Sequence, residues 1–218
     1  DNGNYIWIQM FYSALNESGR AGFVMANSAA DARHSEKEIR KQLIQDKAVD
    51  VMISVGSDFF YNVSLPCTLW FLDKDKRGTD REAKVLFIDA RDIYHQIDRS
   101  QREFKPHQIE FIANIARLYR GDKPEFLKEE TREMFEEYFE DQEYEDILGL
   151  CGVVSIDEIE EQDWSLNPGR YVGIEKRNDG NIDVEERLIE LNDEFQELTN
   201  NAHDLERRIS ENIEEILS

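Results

Sequence analysis

The residues best placed for recognition or chemistry lie in one short run, Gly56-Ser-Asp-Phe-Phe-Tyr-Asn-Val-Ser-Leu-Pro66. The run falls between two apolar stretches that read as strands, and loops between the strands of a sheet commonly carry function. Phe59, Phe60 and Tyr61 are consecutive, so the three rings cannot all turn into one core from a loop. A ring left outside is a platform on which a nucleic-acid base can stack, at about 1–3 kcal/mol per base. The plainer reading is that Phe59 and Phe60 close the end of the sheet, and the run alone leaves both open.

Elsewhere the sequence shows no constellation for catalysis. It contains neither a Gly-x-Gly-x-x-Gly turn after a strand nor a Gly-x-x-x-x-Gly-Lys-Ser/Thr loop to cradle phosphate, and no Gly-x-Ser-x-Gly elbow. The four histidines, His34, His95, His107 and His203, are scattered, with no pair at helical spacing to suggest a metal site. Cys67 and Cys151 stand outside any Cys/His cluster and read as two reduced, buried thiols. Carboxylates are abundant, but most fall on the polar faces of predicted helices.

The elements that must position the aromatic run alternate in type. Tyr5–Leu15 is expected to be a helix with Ile6, Met10, Phe11, Ala14 and Leu15 inward. Ala21–Ala26 is expected to be a strand buried on both faces, because it lacks polar alternation. Ser35-Glu-Lys-Glu38 reads as a capping box opening a helix to about Asp46, with Ile39, Leu43 and Ile44 inward. Val49–Val55, Cys67–Leu72 and Lys84–Asp89 follow as strands. The link from Val55 to Cys67 is too short and too unpatterned for a parallel crossover, so the strand at Cys67 should run antiparallel and finish one end of an open sheet. Pro106–Arg120 is expected to be a helix, with Pro106 at its first position and Gly121 at its stop. Asp122–Asp146 holds twelve acidic and three basic residues, interrupted by Phe126, Met134, Phe135, Tyr138 and Phe139, and reads as an amphipathic acidic helix.

From Asp183 the pattern changes to a heptad seam: Val184, Leu188, Leu191, Phe195, Leu198, Ala202, Leu205, Ile209, Asn212 and Ile216 alternate steps of four and three. Such a stripe calls for another helix, in trans or within a bundle.

Five of these stretches, taken in order and spacing, resemble the modification (methyltransferase) subunits of type I restriction-modification systems. They are Gly19–Asn27, Val49–Val55, Phe60–Leu72, Val85–Arg91 and Ser165-Leu-Asn-Pro-Gly-Arg-Tyr-Val172. The resemblance covers about residues 1 to 173, and a helical tail is typical of the family. It implies the C-terminal part of a Rossmann-like methyltransferase sheet, with Gly22–Ala26 as its fifth strand, Val49–Val55 as its sixth and Cys67–Leu72 as its reversed seventh. It also implies S-adenosylmethionine as the parent subunit's cofactor, adenine in DNA as the substrate, and specificity and restriction subunits as partners. The family's glycine-rich cofactor turn and Asn/Asp-Pro-Pro-Phe/Tyr motif would lie upstream of Asp1. No catalytic, cofactor-binding or metal residue is therefore expected in this chain, and the chain alone is expected to be inactive. The aromatic run takes on the family's role of packing against an extruded base, as chemistry on a base requires, with Phe60 first and Tyr61 second. The seam residues Leu188, Leu191, Phe195, Leu198, Leu205 and Ile209 become the partner-docking helix.

The organisation expected is α/β: residues 1–95 as half of the methyltransferase domain, 96–148 as a helical acidic region, 149–182 as a loop-rich connector and 183–218 as a long coiled-coil-like helix. The formal net charge of −22 over 218 residues denies the chain any general attraction to DNA phosphates, so a DNA-facing surface must be local or belong to a partner. No apolar stretch approaches the roughly 20 residues of a membrane span, and a cytoplasmic location is expected. The Asp-Asn-Gly-Asn start, which lacks an initiator Met, points to processing or excision. The competing reading is a noncatalytic adaptor or scaffold with a degenerate α/β domain and a coiled-coil arm.

Overall fold

The computed structural model describes residues 3–98 and 101–174, together with residues 199, 207 and 209 of the C-terminal segment. Residues 1–175 form one unit and 176–218 a second. In the first, the helices are α1 (Asn4–Ser13), α2 (Ser35–Gln45), α3 (Pro106–Tyr119), α4 (Glu129–Tyr138) and α5 (Ile156–Glu161). The strands are β1 (Arg20–Ala26), β2 (Val49–Val55), β3 (Cys67–Asp73), β4 (Lys84–Asp89), β5 (His95–Asp98), β6 (Gln101–Glu103) and β7 (Cys151–Ser155). Five strands make one sheet in the order β1-β3-β2-β4-β7, and β5 and β6 form a separate hairpin.

Alternation along the strands splits the apolar residues between two cores, since successive side chains leave opposite faces. Met52, Trp70, Leu72, Val85 and Phe87 face the core built with Tyr5 and Ile8 of α1, Leu43 and Ile44 of α2 and Ile159 of α5. Val51, Ile53, Leu86 and Ile88 face the other, with Phe111, Ile112 and Ile115 of α3 and Phe135 of α4. Every residue of β2 is buried, the polar Asp50 and Ser54 included, as its central place in the sheet requires.

Several expectations are corrected. β3 runs antiparallel, but it lies inside the sheet, paired to β1 on one edge and β2 on the other. Beyond β2 the sheet continues with parallel β4 and antiparallel β7, so two strands are reversed rather than one. β7 comes from the stretch read as a loop-rich connector. Its Cys151-Gly-Val-Val-Ser155 run is too short to show a period, and only pairing with β4 makes it a strand. β1 is an exposed edge strand rather than one buried on both faces: Val24 is 51% exposed, because among the described residues no helix covers that side of it. α1 buries Tyr5 and Ile8 and leaves Ile6, Trp7, Met10 and Phe11 exposed, which reverses the face expected within the helix, although Leu15, just beyond its end, does pack on the core. Ser35 is the first residue of α2 and caps nothing; the N-cap is His34, without a side-chain bond. A capping box does form at α5, where the Glu158 amide donates to the Ser155 hydroxyl oxygen and the Ser155 amide donates to the Glu158 carboxylate. The acidic stretch is helical only over α4.

Other expectations hold. α3 starts at Pro106, and Gly121, in the left-handed region at φ +78°, ends it. Cys67 and Cys151 are buried and unpaired. Burial pushes both thiols up, that of Cys151 to about 11, which keeps them protonated and unreactive near neutral pH.

The amino-terminal ends of β2 and β4 are tied by buried charge. The Lys76 ammonium, wholly buried, donates to the carbonyls of Val49 at 2.5 Å and Lys84 at 2.6 Å. Beside it the buried Asp50 carboxylate accepts from Arg81 at 2.8 Å and from Arg120 at 2.7 Å, which anchors the end of α3 to β2. Loss of hydration lowers the Lys76 pKa to about 8. Between there and its ordinary 10.5 the folded chain holds fewer protons on this group than the unfolded chain. Stability from Lys76 should therefore rise with pH across that window. Denaturant midpoints of the wild type and Lys76→Met, compared from pH 7.5 to 10.5, should show the wild type gaining about 3 kcal/mol on the variant. A constant difference would refute the assignment.

Candidate functional site

β1, β2 and β4 are mutually parallel, so their carboxyl ends share one end of the sheet. The loop from β2 to β3 leaves from there and carries the aromatic run. Asp58 sits in the left-handed region at φ +67°, a conformation that a short polar side chain tolerates. Its carbonyl accepts from the backbone amide of Arg102 in β6 at 2.8 Å. Phe59 is half-buried, its ring packed 4.6 Å from that of Phe104. Phe60 is then 47% exposed and Tyr61 90% exposed, and a narrow turn joins Phe60 to Val63. One ring of the three anchors the loop, and the other two face solvent.

The adjacent groups are basic and polar. A Cβ added at Gly56 would stand 3.1 Å from the Arg91 carbonyl oxygen and 3.4 Å from Arg102 Nη1, so glycine lets the Arg91 backbone and the Arg102 guanidinium pack closely on the end of β2. Arg91 forms a bidentate pair with Asp89, at 2.8 and 2.5 Å. Arg102 lies over the Tyr94 ring at 4.1 Å, and its Nε donates to Gln96 Oε1 at 3.2 Å. At the end of β1, Asp31 accepts from the Ser165 hydroxyl and from Asn167 Nδ2, the latter at 3.0 Å, and pairs with Arg170 at 3.4 Å. The Leu166 amide donates to the Ala30 carbonyl at 2.9 Å, and the Tyr171 ring stacks on Phe87 at 4.2 Å. The Ser165–Val172 phrase is thus a clasp that fastens the end of the unit to the carboxyl end of β1.

Phe60 and Tyr61 are brought together on one loop. Leu188, Leu191, Phe195, Leu198 and Leu205 lie outside the described residues, as does most of the predicted long helix. Thr199, Arg207 and Ile209 are helical, with Ile209 57% exposed. Among the described residues no group of His, Cys, Asp and Glu could hold a metal ion, and no helix is long and apolar enough to cross a membrane. Arg102 was not foreseen. Nothing in its sequence neighbourhood sets it apart, because its place beside the loop depends on the β5–β6 hairpin.

The family model for N-6 DNA Methylase matches residues 1–180. The chain is 35% identical to the type I restriction enzyme MjaIX methylase subunit of Methanocaldococcus jannaschii, a match covering 96% of the chain and 34% of that protein. It is 29% identical to the HindI methylase subunit of Haemophilus influenzae, covering 97% of the chain and 43% of that protein. The chain therefore spans between a third and a half of these curated relatives. Among solved structures, the type I restriction-modification methyltransferase subunit from Streptococcus thermophilus is similar with a TM-score of 0.60 and 25% identity, over 78% of this chain and 30% of that one. The EcoKI M protein shares the fold at a TM-score of 0.50 and 20% identity, over 76% of this chain and 37% of that one.

If Phe59 anchors the loop and Phe60 does not, the two should differ in thermal or chemical denaturation. Phe59→Ala should destabilise by about 1–2 kcal/mol, and Phe60→Ala should stay within about 0.5 kcal/mol, as surface changes do. An equal or larger loss at Phe60 would make that ring part of the core.

Proposed function

The chain belongs to the N-6 DNA methylase family, and from that membership we propose that it is the C-terminal part of a type I methylase subunit whose aromatic loop receives the adenine to be methylated. The observation that carries this reading is the division of labour within the loop: Phe59 is packed on Phe104, while Phe60 and Tyr61 stand exposed at the carboxyl ends of parallel strands. Ligands of open α/β sheets bind at that end. Phe60, nearer the anchored residue, is assigned to one face of the extruded base, and Tyr61 is the second choice.

In this reading the parent subunit methylates adenine N6 with S-adenosylmethionine, and the cofactor turn and catalytic motif belong to the part of the relatives that this chain does not span. The chain alone is assigned no transferase activity. Two features support a larger sheet. β1 has a strand neighbour on one edge only among the described residues, and Ile6, Trp7 and Met10 of α1 are exposed beside it. Base readout is assigned to a specificity subunit and cleavage to a restriction subunit, within a soluble cytoplasmic complex. The net charge of −22 accords with delegating most of the DNA affinity to partners.

In the full complex, Phe60→Ala should lower the rate of adenine methylation by the equivalent of about 1–3 kcal/mol, the worth of one stacking face, while the complex assembles normally. Unchanged methylation by a fully folded variant would remove Phe60 from the pocket. The seam is assigned to docking on the specificity subunit. Replacing Leu191 and Leu198 with Asp should abolish co-purification with that subunit, and recovery of the double variant in full yield would show that docking lies elsewhere.

A further inference from the structure

Both ends of the aromatic loop are held. On the β2 side the Asp58 carbonyl accepts from the Arg102 amide at 2.8 Å, and the Phe59 ring lies 4.6 Å from that of Phe104. On the β3 side Cys67 is paired to Ala26 of β1 and to Val55 of β2. Between these anchors Phe60 and Val63 bridge across a narrow turn, with the Val63 amide 3.5 Å from the Phe60 carbonyl, so Tyr61 and Asn62 form its tip. Tyr61 is 90% exposed, and among the described residues neither its ring nor its hydroxyl has a partner. A large ring left bare on a loop that is fixed at both ends contributes nothing to the packing of the described unit.

The residues around it can meet a nucleic acid despite the acidity of the chain. All seven residues of Phe60-Tyr-Asn-Val-Ser-Leu-Pro66 are exposed and none is charged. Val63 is 47% and Leu65 66% exposed. An uncharged tip approaches a polyanion without the repulsion that carboxylates would add. Extruding a base from a duplex leaves a gap in the stack, about 3.4 Å deep for one step, and costs the stacking of the base on its neighbours. Apolar side chains are inserted between base steps by many proteins that deform DNA. A planar ring does so while regaining stacking on the bases beside it. Phe60 and Tyr61 stand on the same turn, so an extruded base and the gap that it leaves are within reach of one loop.

We propose that Tyr61 enters the duplex at the position vacated by the target adenine and stacks between the flanking bases. The proposal rests on the assignment of Phe60 to the extruded base, and it gives Tyr61 a task outside the base pocket rather than the second place within it. Val63 and Leu65 form the apolar shoulder of the tip that meets the sugars and bases beside the gap. The contact needs no cation from the loop, which accords with a chain whose net charge is −22.

The test uses the full complex and a duplex containing its recognition site, with an abasic tetrahydrofuran residue in place of the target adenine. That duplex offers the gap without the base, so a residue of the base pocket has nothing to stack on. Tyr61→Ala should weaken binding of the abasic duplex about tenfold. Tyr61→Phe should bind it as the wild type does, because the contact uses the ring and not the hydroxyl. Phe60→Ala should bind it normally. With 2-aminopurine at the target position of an otherwise ordinary duplex, Tyr61→Ala should also reduce the rise in fluorescence that reports extrusion. Unchanged affinity of Tyr61→Ala for the abasic duplex would overturn the proposal, and a loss confined to DNA that contains the adenine would return Tyr61 to the base pocket. Equal losses in Phe60→Ala and Tyr61→Ala on the abasic duplex would make the loop a general DNA contact and also overturn it. The assignment of Phe60 fails on a different result, normal methylation by Phe60→Ala, so failure of one reading is distinguishable from failure of the other.

Discussion

The structure depends on β3 being hydrogen-bonded along both edges. Its seven residues pair from Arg20↔Asp73 to Ala26↔Cys67 with β1, and from Val49↔Leu72 to Val55↔Cys67 with β2. A strand in that position must have every backbone donor and acceptor met within the sheet, because an unmet buried group costs about as much as a lost hydrogen bond. It also returns the chain to the amino-terminal end of β2. β4 can then start there and run parallel to β2 after a ten-residue link that contains no crossover helix. The carboxyl ends of β1, β2 and β4 are thereby gathered at one end of the sheet, and the aromatic loop, the hairpin and the Ser165–Val172 clasp all meet there.

The two ends of the sheet hold charge for different purposes. At the amino-terminal end, Lys76, Asp50, Arg81 and Arg120 satisfy one another and the backbone within the interior. An uncompensated buried charge costs on the order of 3–5 kcal/mol, so this network tolerates little change and holds α3, β2 and β4 in register. At the carboxyl end the charged groups are exposed or half-buried, and rings stand in solvent. That is a surface arranged for contact rather than for stability.

The acidity of the chain is unevenly placed. Asp122–Asp146 carries a net charge of −9 and packs through Phe126, Phe135 and Phe139 onto the α3 face. The loops at the carboxyl ends mix both signs, with Arg91 and Arg170 paired to carboxylates. A polyanion would be repelled by the acidic stretch within about a Debye length, roughly 8 Å at physiological salt, and would meet less opposition at the carboxyl-end loops.

Much of this could be read in the residues. The apolar stretches Val51–Ile53 and Val85–Ile88 mark buried strands, because strands covered on both faces carry apolar residues at consecutive positions. Pro106 and Gly121 bracket α3, because their backbone restrictions act locally. The three consecutive rings at Phe59–Tyr61 already imply that some must face outward. The strand order, the strand at Cys151 and the buried face of α1 depend on which segments meet, and local pattern does not record that. Ile6 and Met10 look inward by periodicity, yet Tyr5 and Ile8 are buried, because the position of β1 selects which stripe of the helix is covered. Which ring anchors the loop was likewise decided by Phe104, and the placing of the half-buried Arg102 beside Gly56 by a hairpin that begins almost forty residues downstream of that glycine. Local sequence determined α3, the central strands and the aromatic surplus of the loop; long-range pairing alone decided the strand at Cys151, the β5–β6 hairpin and which residues stand beside the loop, since hydrogen-bond partners across a sheet are set by tertiary contact and not by neighbours in the chain.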